Sequence, residues 1–268
     1  MTILIKLGGS LITDKTKAKS FRPERVRRLA RQVVRLRDHS QQFRLIIGHG
    51  SGSFGHFEAQ KYRTADGVQT DRDLQGFVRV GAVAAELSLL VQSEFHAAGL
   101  PTMRFQPSST IVASDKQIKS FDSRALALAL DKQLIPLIHG DIALDENIGG
   151  TIVSTEALFA HLVGKLRAQL IILLGETAGV LDRNGELIPR ITPSSLADVR
   201  SALAGSHGVD VTGGMLQKVE TMVALVRDHP SLAVIIADGR RDNVLYDLLI
   251  HRQSIGTRIC ADARFSLQ

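Results

Sequence analysis

Residues 44–56, RLIIGHGSGSFGH, constrain the fold of this chain more than any other segment. The apolar residues 45–47 are the short β-branched run that is typical of a buried strand. Glycines follow at positions 50, 52 and 55, and His56 ends the segment. A glycine-rich turn after a strand lets backbone N–H groups approach an anion closely. The segment therefore predicts a strand followed by an anion-binding turn, with His56 beside the anion as a proton donor.

Residues 50–55 also match the dinucleotide-binding pattern G-x-G-x-x-G. A dinucleotide site of that kind needs a second strand that ends in Asp or Glu about 20 residues further on, to hold a ribose. Residues 60–75 are polar and predict no strand. We therefore interpret the turn as a phosphate-binding turn and not as part of a nicotinamide site.

Predicted strands and helices alternate along the rest of the chain. Strands are predicted at 3–7, 44–48, 102–105, 134–139, 169–174, 232–237 and 256–259, and hairpins at 141–151 and around Asn184-Gly185. Helices are predicted at 24–38, 74–98, 123–132, 154–166, 193–203, 215–227 and 243–250. This alternation indicates an α/β fold, a mostly parallel sheet with helices on both faces. With no linker or repeat in the sequence, residues 1–268 are expected to form one domain.

Ligands of such folds bind beyond the carboxyl ends of the strands. Every glycine or polar signal that follows a predicted strand lies at such an end. These signals are Gly8-Gly9-Ser10, residues 50–56, Gly140-Asp141, Gly175-Glu176 and Asp238-Gly239. We expect them to line one crevice.

Three lysines are placed to neutralise anions at this crevice. Lys6 lies beside the first glycine turn, Lys15 lies in the loop after it, and Lys218 lies one turn into a helix that is expected to begin at Gly213-Gly214. Two glycine turns point to two anionic groups, and phosphoryl transfer mainly needs positioning and charge neutralisation. The sequence contains no G-x-x-x-x-G-K-[ST] motif, which excludes a P-loop enzyme.

Composition and charge limit the class of ligand and the cellular compartment that we expect for this protein. The net charge of +6 comes largely from residues 15–37, and with no Trp and only 2 Tyr for base stacking we expect a small anion rather than a nucleic acid. No apolar run approaches the roughly 18–20 residues of a membrane span. The single Cys260 fits a reducing compartment, and residues 1–2 lead directly into a strand, so we expect a cytoplasmic protein without a signal peptide.

The sequence resembles the amino acid kinase family and, within it, the isopentenyl phosphate kinases. The resemblance is carried by residues 6–10 (KLGGS), 50–56 (GSGSFGH) and 210–215 (DVTGGM) with Lys218, is supported by residues 256–259, and extends from residue 3 to 259. The Phe-Gly-His ending is its most specific part, because amino-acid-specific members lack that histidine.

The resemblance implies the αβα sandwich of the amino acid kinase fold, with an acceptor lobe at about 1–165 and a nucleotide lobe at about 166–268. It implies a homodimer that uses ATP, with Mg²⁺ held mainly through the ATP phosphates, to convert isopentenyl phosphate to isopentenyl diphosphate. The implied catalytic residues are Lys6, Lys15, His56 and Lys218. The implied nucleotide-binding residues are Lys6, Gly8, Gly9, Ser10, Gly52, Gly175, Glu176, Asp210, Gly213, Gly214 and Lys218. The implied substrate-binding residues are Gly50, Ser51, Gly52, Gly55, His56, Gly140, Asp141 and Thr155.

The sequence departs from the family pattern at two places. Residues 175–179 replace a Thr-Asp-Val-Asp-Gly turn but keep a carboxylate at Glu176, which fits organisation of a lysine or of magnesium. Residues 154–156, Ser-Thr-Glu, replace Ser-Gly-Asp. A phosphate monoester has a second pKa near 6, so it needs no general base, and His56 is expected to donate a hydrogen bond to it.

Two alternatives remain at this point. One is a kinase of the same family for another small phosphate or phosphonate, resembling fosfomycin kinase. The size of the apolar tail that Phe77, Val80 and Val83 admit would decide between the two kinases. The other is a non-catalytic nucleotide- or oxyanion-binding protein, which the joint presence of the three lysines and His56 disfavours.

Overall fold

The computed structural model describes residues 1–39, 42–64, 67–204 and 211–262. Its strands are β1 (Thr2–Leu7), β2 (Arg44–His49), β3 (Thr102–Arg104), β4 (Ile111–Ser114), β5 (Gln117–Phe121), β6 (Ile135–His139), β7 (Asp141–Asp145), β8 (Gly149–Val153), β9 (Ala168–Gly175), β10 (Arg190–Ile191), β11 (Ala233–Asp238) and β12 (Thr257–Cys260). Its helices are α1 (Gly9–Ile12), α2 (Pro23–His39), α3 (Gly52–Tyr62), α4 (Asp71–Ala97), α5 (Arg124–Asp131), α6 (Thr155–Leu166), α7 (Leu196–Ala204), α8 (Val211–Asp228) and α9 (Val244–Leu249).

Eight strands form the central sheet in the order β10-β12-β11-β9-β1-β2-β6-β3. Neighbouring strands pair in parallel except at β11–β12, which is antiparallel. Because β1, β2, β6, β9 and β11 run in one direction, their carboxyl ends meet at one edge of the sheet. The predicted mostly parallel sheet is confirmed, and so is the meeting of the polar signals at that edge.

Apolar layers cover both faces of this sheet, because successive side chains of each buried strand point to opposite faces. Ile3, Ile5 and Leu7 of β1 pack into a cluster with α2 and α4. Leu4 belongs to the opposite cluster, with Leu158 of α6 and other residues of α6 and α8. The structure is the expected three-layer αβα sandwich. It also places the even-numbered Lys6 on the same face of the sheet as α6 and α8.

A second sheet of four strands, in the order β5-β4-β7-β8, lies beside α4. The predicted hairpin at 141–151 is confirmed as β7 and β8, which pair antiparallel. Strands β4 and β5 were not predicted. Their turn is closed by Asp145, which accepts hydrogen bonds from the backbone N–H groups of Asp115 and Lys116. This stabilisation comes from a residue 29 or 30 positions away, so local periodicity does not reveal the hairpin.

Several elements differ from the sequence prediction. Helix α4, predicted to begin at residue 74, begins at Asp71. Helix α8 begins at Val211, so Gly213 and Gly214 lie inside its first turn. Helix α7 begins at Leu196 rather than at Pro193, and residues before it form a turn. At Asn184-Gly185 the chain makes the predicted turn, but the flanking segments contribute only one isolated bridge, between Leu181 and Leu187.

Helix α4 qualifies the expectation that no apolar stretch of the chain approaches the length of a membrane span. By length and composition alone, α4 is long and apolar enough to cross a bilayer, and half of its most apolar stretch is buried inside the fold. Phe77, Leu87, Val91 and Phe95 are among its buried side chains. The apolar face of α4 is therefore used in packing against the sheet and the neighbouring helices.

Candidate active site

Two glycine turns meet at the carboxyl edge of the central sheet. A Cβ atom added to Gly9, after β1, would lie 2.7 Å from the Cα and N atoms of Gly52, after β2. One added to Gly50 would lie 3.0 Å from the N atom of Gly9. Gly52 has a φ of +50°, a conformation that side-chain-bearing residues rarely adopt. The two turns can approach this closely only because they carry no side chains.

The contact brings together a row of backbone N–H groups at the edge of the crevice. Among the described residues, the N–H groups of Gly9, Ser10, Ser51 and Gly52 have no hydrogen-bond acceptor. The first N–H groups of a helix have no intrahelical partner, and they carry the positive end of the helix dipole. We call this row, at the starts of α1 and α3, the anion cradle.

At the adjoining part of the crevice Lys6 pairs with Glu156, and the charges of both act on Lys218. Lys6 Nζ forms an ion pair with a Glu156 carboxylate oxygen, and both side chains are about one-seventh exposed. Glu156 lies in the first turn of α6, which is capped by Ser154, whose hydroxyl accepts the N–H of Ala157 at 3.1 Å. The carboxylate that organises the lysines thus comes from residue 156.

The pKa values in this cluster follow from burial and from the neighbouring charges. Burial lowers the pKa of Lys218, the charges of Lys6 and Lys15 lower it further, and Glu156 opposes them. Burial acts to raise the pKa of Glu156, but the charges of Lys6 and Lys218 outweigh burial and hold that pKa below its usual value. The Glu156 carboxylate offsets the charges of Lys6 and Lys218, while Lys15 adds a third positive charge that acts on Lys218, so a bound polyanion would relieve the repulsion among the lysines.

Glu176 has a different partner from the one expected. From the family resemblance Glu176 was expected to organise a lysine or magnesium. In the structure its carboxylate accepts a hydrogen bond of 2.9 Å from Arg22 Nη1. The same Arg22 nitrogen donates to the carbonyl oxygen of Ser10 at 3.2 Å. Arg22 therefore links the turn after β9 to the turn after β1, while Glu156 serves the lysines.

A cavity of about 310 Å³ opens beside the anion cradle. Its polar and glycine lining residues are Gly9, Lys15, Gly50, Ser51, Gly52, Gly55, His56, Gly140 and Asp141. Its apolar lining residues are Ala59, Val80, Ala84 and Ile152. Lys15 and His56 are exposed to solvent. The cavity has the size of a small-ligand site and combines an anion-binding lining with a short apolar lining.

Buried polar groups support the wall of the cavity at Gly140 and Asp141. The Asp141 carboxylate accepts hydrogen bonds from Gln106 Nε2 and from the N–H groups of Ser108 and Ile142. Burial raises the pKa of Asp141 despite these bonds. Below it the rings of His49 and His139 stack with centroids 5.4 Å apart. Burial lowers the pKa of His49 to about 3 and that of His139 to about 4, so both rings are neutral at physiological pH.

The structure brings most of the predicted site residues together. The residues of the two glycine turns, Lys15, His56, Gly140 and Asp141 surround the cavity or the cradle, and Lys6 and Lys218 adjoin it. Gly213 and Gly214 lie in the first turn of α8, and Gly175 ends β9. Thr155 is buried, and its hydroxyl donates to the carbonyl oxygen of His49 at 2.7 Å, so it supports β2 instead of lining the cavity. Asp210 lies outside the described residues.

Sequence reasoning missed several residues that the structure adds to the site. Glu156 was noted only as a departure from the family pattern, although a carboxylate in the first turn of a helix beside the crevice is a usable signal. Ala59, Ala84 and Ile152 complete the apolar lining of the cavity, and alternation along β8 gives Ile152 a weak signal. Val80 lines the cavity as expected, whereas Val83 packs into the core under the sheet. Phe77 is buried and would contact a Cβ atom at Gly150.

A metal ion has few protein ligands here. No group of three or more His, Cys, Asp or Glu residues that could hold a metal occurs in the described part of the chain. An arrangement of lysines and backbone N–H groups fits polyphosphate directly, so a divalent ion would depend on the phosphates themselves for most of its ligands.

The comparisons with known proteins agree with this geometry. Residues 1–238 match the model of the amino acid kinase family. The isopentenyl phosphate kinase of Methanocaldococcus jannaschii is 30% identical over 256 residues, which cover 93% of this chain and 95% of the relative. That of Haloferax volcanii is 32% identical over 226 residues, covering 83% and 88%.

A solved structure of an isopentenyl phosphate kinase superposes on the model with a TM-score of 0.81 at 24% identity, covering 97% of this chain and all of that chain. The fold is therefore that of this enzyme class. With the family model matching most of the chain and the two glycine turns and lysines in place, this protein belongs to the amino acid kinase family.

Proposed function

We propose that this protein is a kinase that transfers the γ-phosphoryl group of ATP to isopentenyl phosphate and so forms isopentenyl diphosphate. The observation that carries the proposal is the cavity of about 310 Å³, whose lining combines an anion-binding part with a short apolar part. A phosphate monoester with a small branched hydrocarbon tail has the same two parts. The relative of this name from Methanocaldococcus jannaschii matches 93% of the chain.

The anion cradle would hold phosphate oxygens by N–H groups of Gly9, Ser10, Ser51 and Gly52. His56 would donate to a non-bridging oxygen of the acceptor, which is already an anion at neutral pH. That oxygen forms a bond to the γ-phosphorus while the bond from the γ-phosphorus to the bridging oxygen breaks, and ADP leaves. No proton has to be abstracted from the acceptor.

The lysines would neutralise the charge that moves between donor and acceptor. Lys6 and Lys218 lie together with Glu156, which fits contact with the ATP phosphates. Lys15 is at the cavity opening, which fits contact with the group in transfer. Mg²⁺, bound through ATP oxygens, would offset the remaining phosphate charge. We also propose that the enzyme acts as a homodimer, as the family resemblance implies, and that it is cytoplasmic without nucleic-acid or membrane partners, as the composition of the sequence indicates.

An acceptor panel tests the proposal. The purified protein, ATP and Mg²⁺ are combined with isopentenyl phosphate, fosfomycin or N-acetylglutamate, and ADP release is measured. We expect the highest kcat/KM with isopentenyl phosphate. A preference for fosfomycin would move the protein to the other kinase class, and ATP binding without ADP release for any acceptor would identify a non-catalytic binder.

The apolar lining of the cavity offers a second test, of selectivity for the length of the acceptor's tail. Val80 is 3% exposed and lines the cavity, whereas Val78, two residues away on α4, is 59% exposed. Val80→Ala should raise kcat/KM for longer prenyl phosphates relative to isopentenyl phosphate, by an amount set by about 1–3 kcal/mol per methylene. Phe77→Leu should act similarly if Phe77 closes the apolar part of the cavity. Val78→Ala is the control for both variants. An unchanged chain-length profile in Val80→Ala would place the tail elsewhere.

A further inference from the structure

Three separate segments meet beneath the anion cradle. They are the turn after β1, the turn after β2, and residues 14–20, which carry Lys15 and which we call the lysine loop. Thr13 joins the first two, because its Oγ1 donates to the Gly9 carbonyl oxygen at 2.7 Å and accepts the N–H of Ser53 at 2.9 Å. Thr13 and Ser53 are both fully buried.

Ser53 anchors the other end of the lysine loop. Its Oγ accepts the N–H of Ser20 at 3.0 Å, and its carbonyl oxygen accepts the N–H of Lys19 at 3.4 Å. The N–H of Asp14 donates to the Ser20 carbonyl oxygen at 2.9 Å and closes the base of the loop. The lysine loop is therefore attached by both ends to the two buried hydroxyl residues.

The junction is tightly packed as well as hydrogen-bonded. A Cβ atom on Gly52 would lie 2.2 Å from Thr13 Oγ1 and 2.9 Å from the Gly9 carbonyl oxygen. The Thr13 hydroxyl thus lies directly against the backbone that forms the cradle. Neither Thr13 nor Ser53 lines the cavity, so neither is placed to contact the acceptor itself.

We propose that Thr13 and Ser53 are positioning residues that hold Lys15 in register with the anion cradle and thereby determine the rate of phosphoryl transfer. The predicted effect on the rate of phosphoryl transfer rests on the proposed function, whereas the predicted attachment of the lysine loop does not. A core position that needed only apolar packing would require no hydroxyl. Here each hydroxyl connects backbone groups from different segments, and small misplacement of a catalytic group is costly.

Kinetics of matched variants test this role. Thr13→Val removes the hydroxyl and keeps the shape, Thr13→Ser keeps the hydroxyl, and Ser53→Ala removes the bond to Ser20. We expect Thr13→Val to lower kcat by roughly ten- to a hundredfold with the KM for ATP nearly unchanged, and Thr13→Ser to recover most of the loss. Thr102→Val is the control, since Thr102 is buried in β3 and its hydroxyl has no partner among the described residues. Wild-type kcat in folded Thr13→Val would overturn the proposal.

A double-mutant cycle with Lys15→Ala separates positioning from general damage. If Thr13 acts through Lys15, Thr13→Val should lower kcat much less in the Lys15→Ala background than in the wild type, because interacting residues are non-additive. An undiminished effect of Thr13→Val in that background would mean that Thr13 does not act through Lys15, and would reject the inference.

Hydrogen exchange tests the same inference without any substrate. In Thr13→Val and in Ser53→Ala, the amides of Asp14, Lys19 and Ser20 should exchange faster than in the wild type, with exchange in β9 unchanged. Wild-type protection of the lysine loop in both variants would overturn the inference. If the wild-type protein fails to phosphorylate isopentenyl phosphate, the proposed function fails, and the exchange measurement still decides whether these hydroxyls hold the loop.

Discussion

The acceptor side of the crevice and the side assigned to the nucleotide are constructed differently. On the acceptor side, Cβ atoms added at Gly50 and Gly55 would lie 3.0 Å and 2.5 Å from their nearest atoms. On the nucleotide side, a Cβ atom at Gly175 or Gly214 would meet no heavy atom of the described residues within 4 Å. The acceptor side is shaped by close backbone packing, and the nucleotide side by charges on Lys6, Glu156 and Lys218.

This difference indicates which kind of substitution, an added atom or a lost charge, each side should tolerate. A preformed cradle of backbone N–H groups gives orientation and is sensitive to any added atom. An open surface of charges gives attraction and tolerates added atoms, but it depends on each side-chain charge. Substitutions on the two sides should therefore separate effects on the acceptor from effects on ATP.

The largest effects should come from the lysines. Lys15→Ala should lower kcat by on the order of a hundredfold or more while ATP affinity stays nearly intact, since its contact is with the group in transfer. Lys218→Ala should weaken both kcat and ATP binding. ADP release and ATP titration measure the two quantities. Near wild-type turnover in Lys15→Ala would remove Lys15 from the catalytic set.

The glycines sharpen the comparison directly. Gly52→Ala forces a side chain into a φ of +50° against Thr13 and should raise the KM for isopentenyl phosphate by about tenfold or more. A Cβ atom at Gly214 would have no atom of the described residues within 4 Å, and alanine is the better helix former by up to about 1 kcal/mol. The melting temperature of Gly214→Ala should therefore not fall, and any kinetic loss should be in the KM for ATP. Equal destabilisation of both variants would break the distinction between the two sides.

His56 should show that the acceptor needs a donor and not a base. His56→Gln keeps an N–H donor and should retain much more activity than His56→Ala, which should raise the acceptor KM by about tenfold, the value of one charge-assisted hydrogen bond. ATP binding should be normal in both. Equal loss in Gln and Ala would be the result for a general base, and wild-type acceptor kinetics in His56→Ala would contradict the isopentenyl phosphate assignment.

The smallest effect concerns the acid stability of the acceptor wall. Burial lowers the pKa of His49 to about 3 and of His139 to about 4, against 6.5 in the unfolded chain. The unfolded chain then binds more protons between pH 6.5 and 4, so stability is full above pH 6.5 and falls as the pH drops. In that range we expect each histidine to lower the free energy of unfolding by about 1.4 kcal/mol for each unit by which the pH falls. Denaturant unfolding at pH 7 and 5.5 should show a shallower dependence in His139→Gln, whereas exposed His96→Gln should keep the wild-type slope.

Local patterns were sufficient for the main elements of this protein. Buried strands with glycine or polar residues at their ends predicted the parallel sheet and the meeting of its loops, because hydrophobic periodicity and backbone freedom are properties of short segments. The same patterns located Lys6, Lys15, His56 and Lys218. They did not find the β4–β5 hairpin, whose turn depends on Asp145, 29 or 30 positions away.

Only the tertiary structure decided which side chains act together. Glu156, and not Glu176, pairs with Lys6, because α6 and β1 approach on one face of the sheet while Arg22 of the opposite layer reaches Glu176. Thr13 and Ser53 are ordinary residues in the sequence and become a junction only when two glycine turns come into contact. Sequence determines propensity over a few residues at a time, whereas ion pairs and hydrogen bonds between distant segments depend on packing that the whole chain must complete.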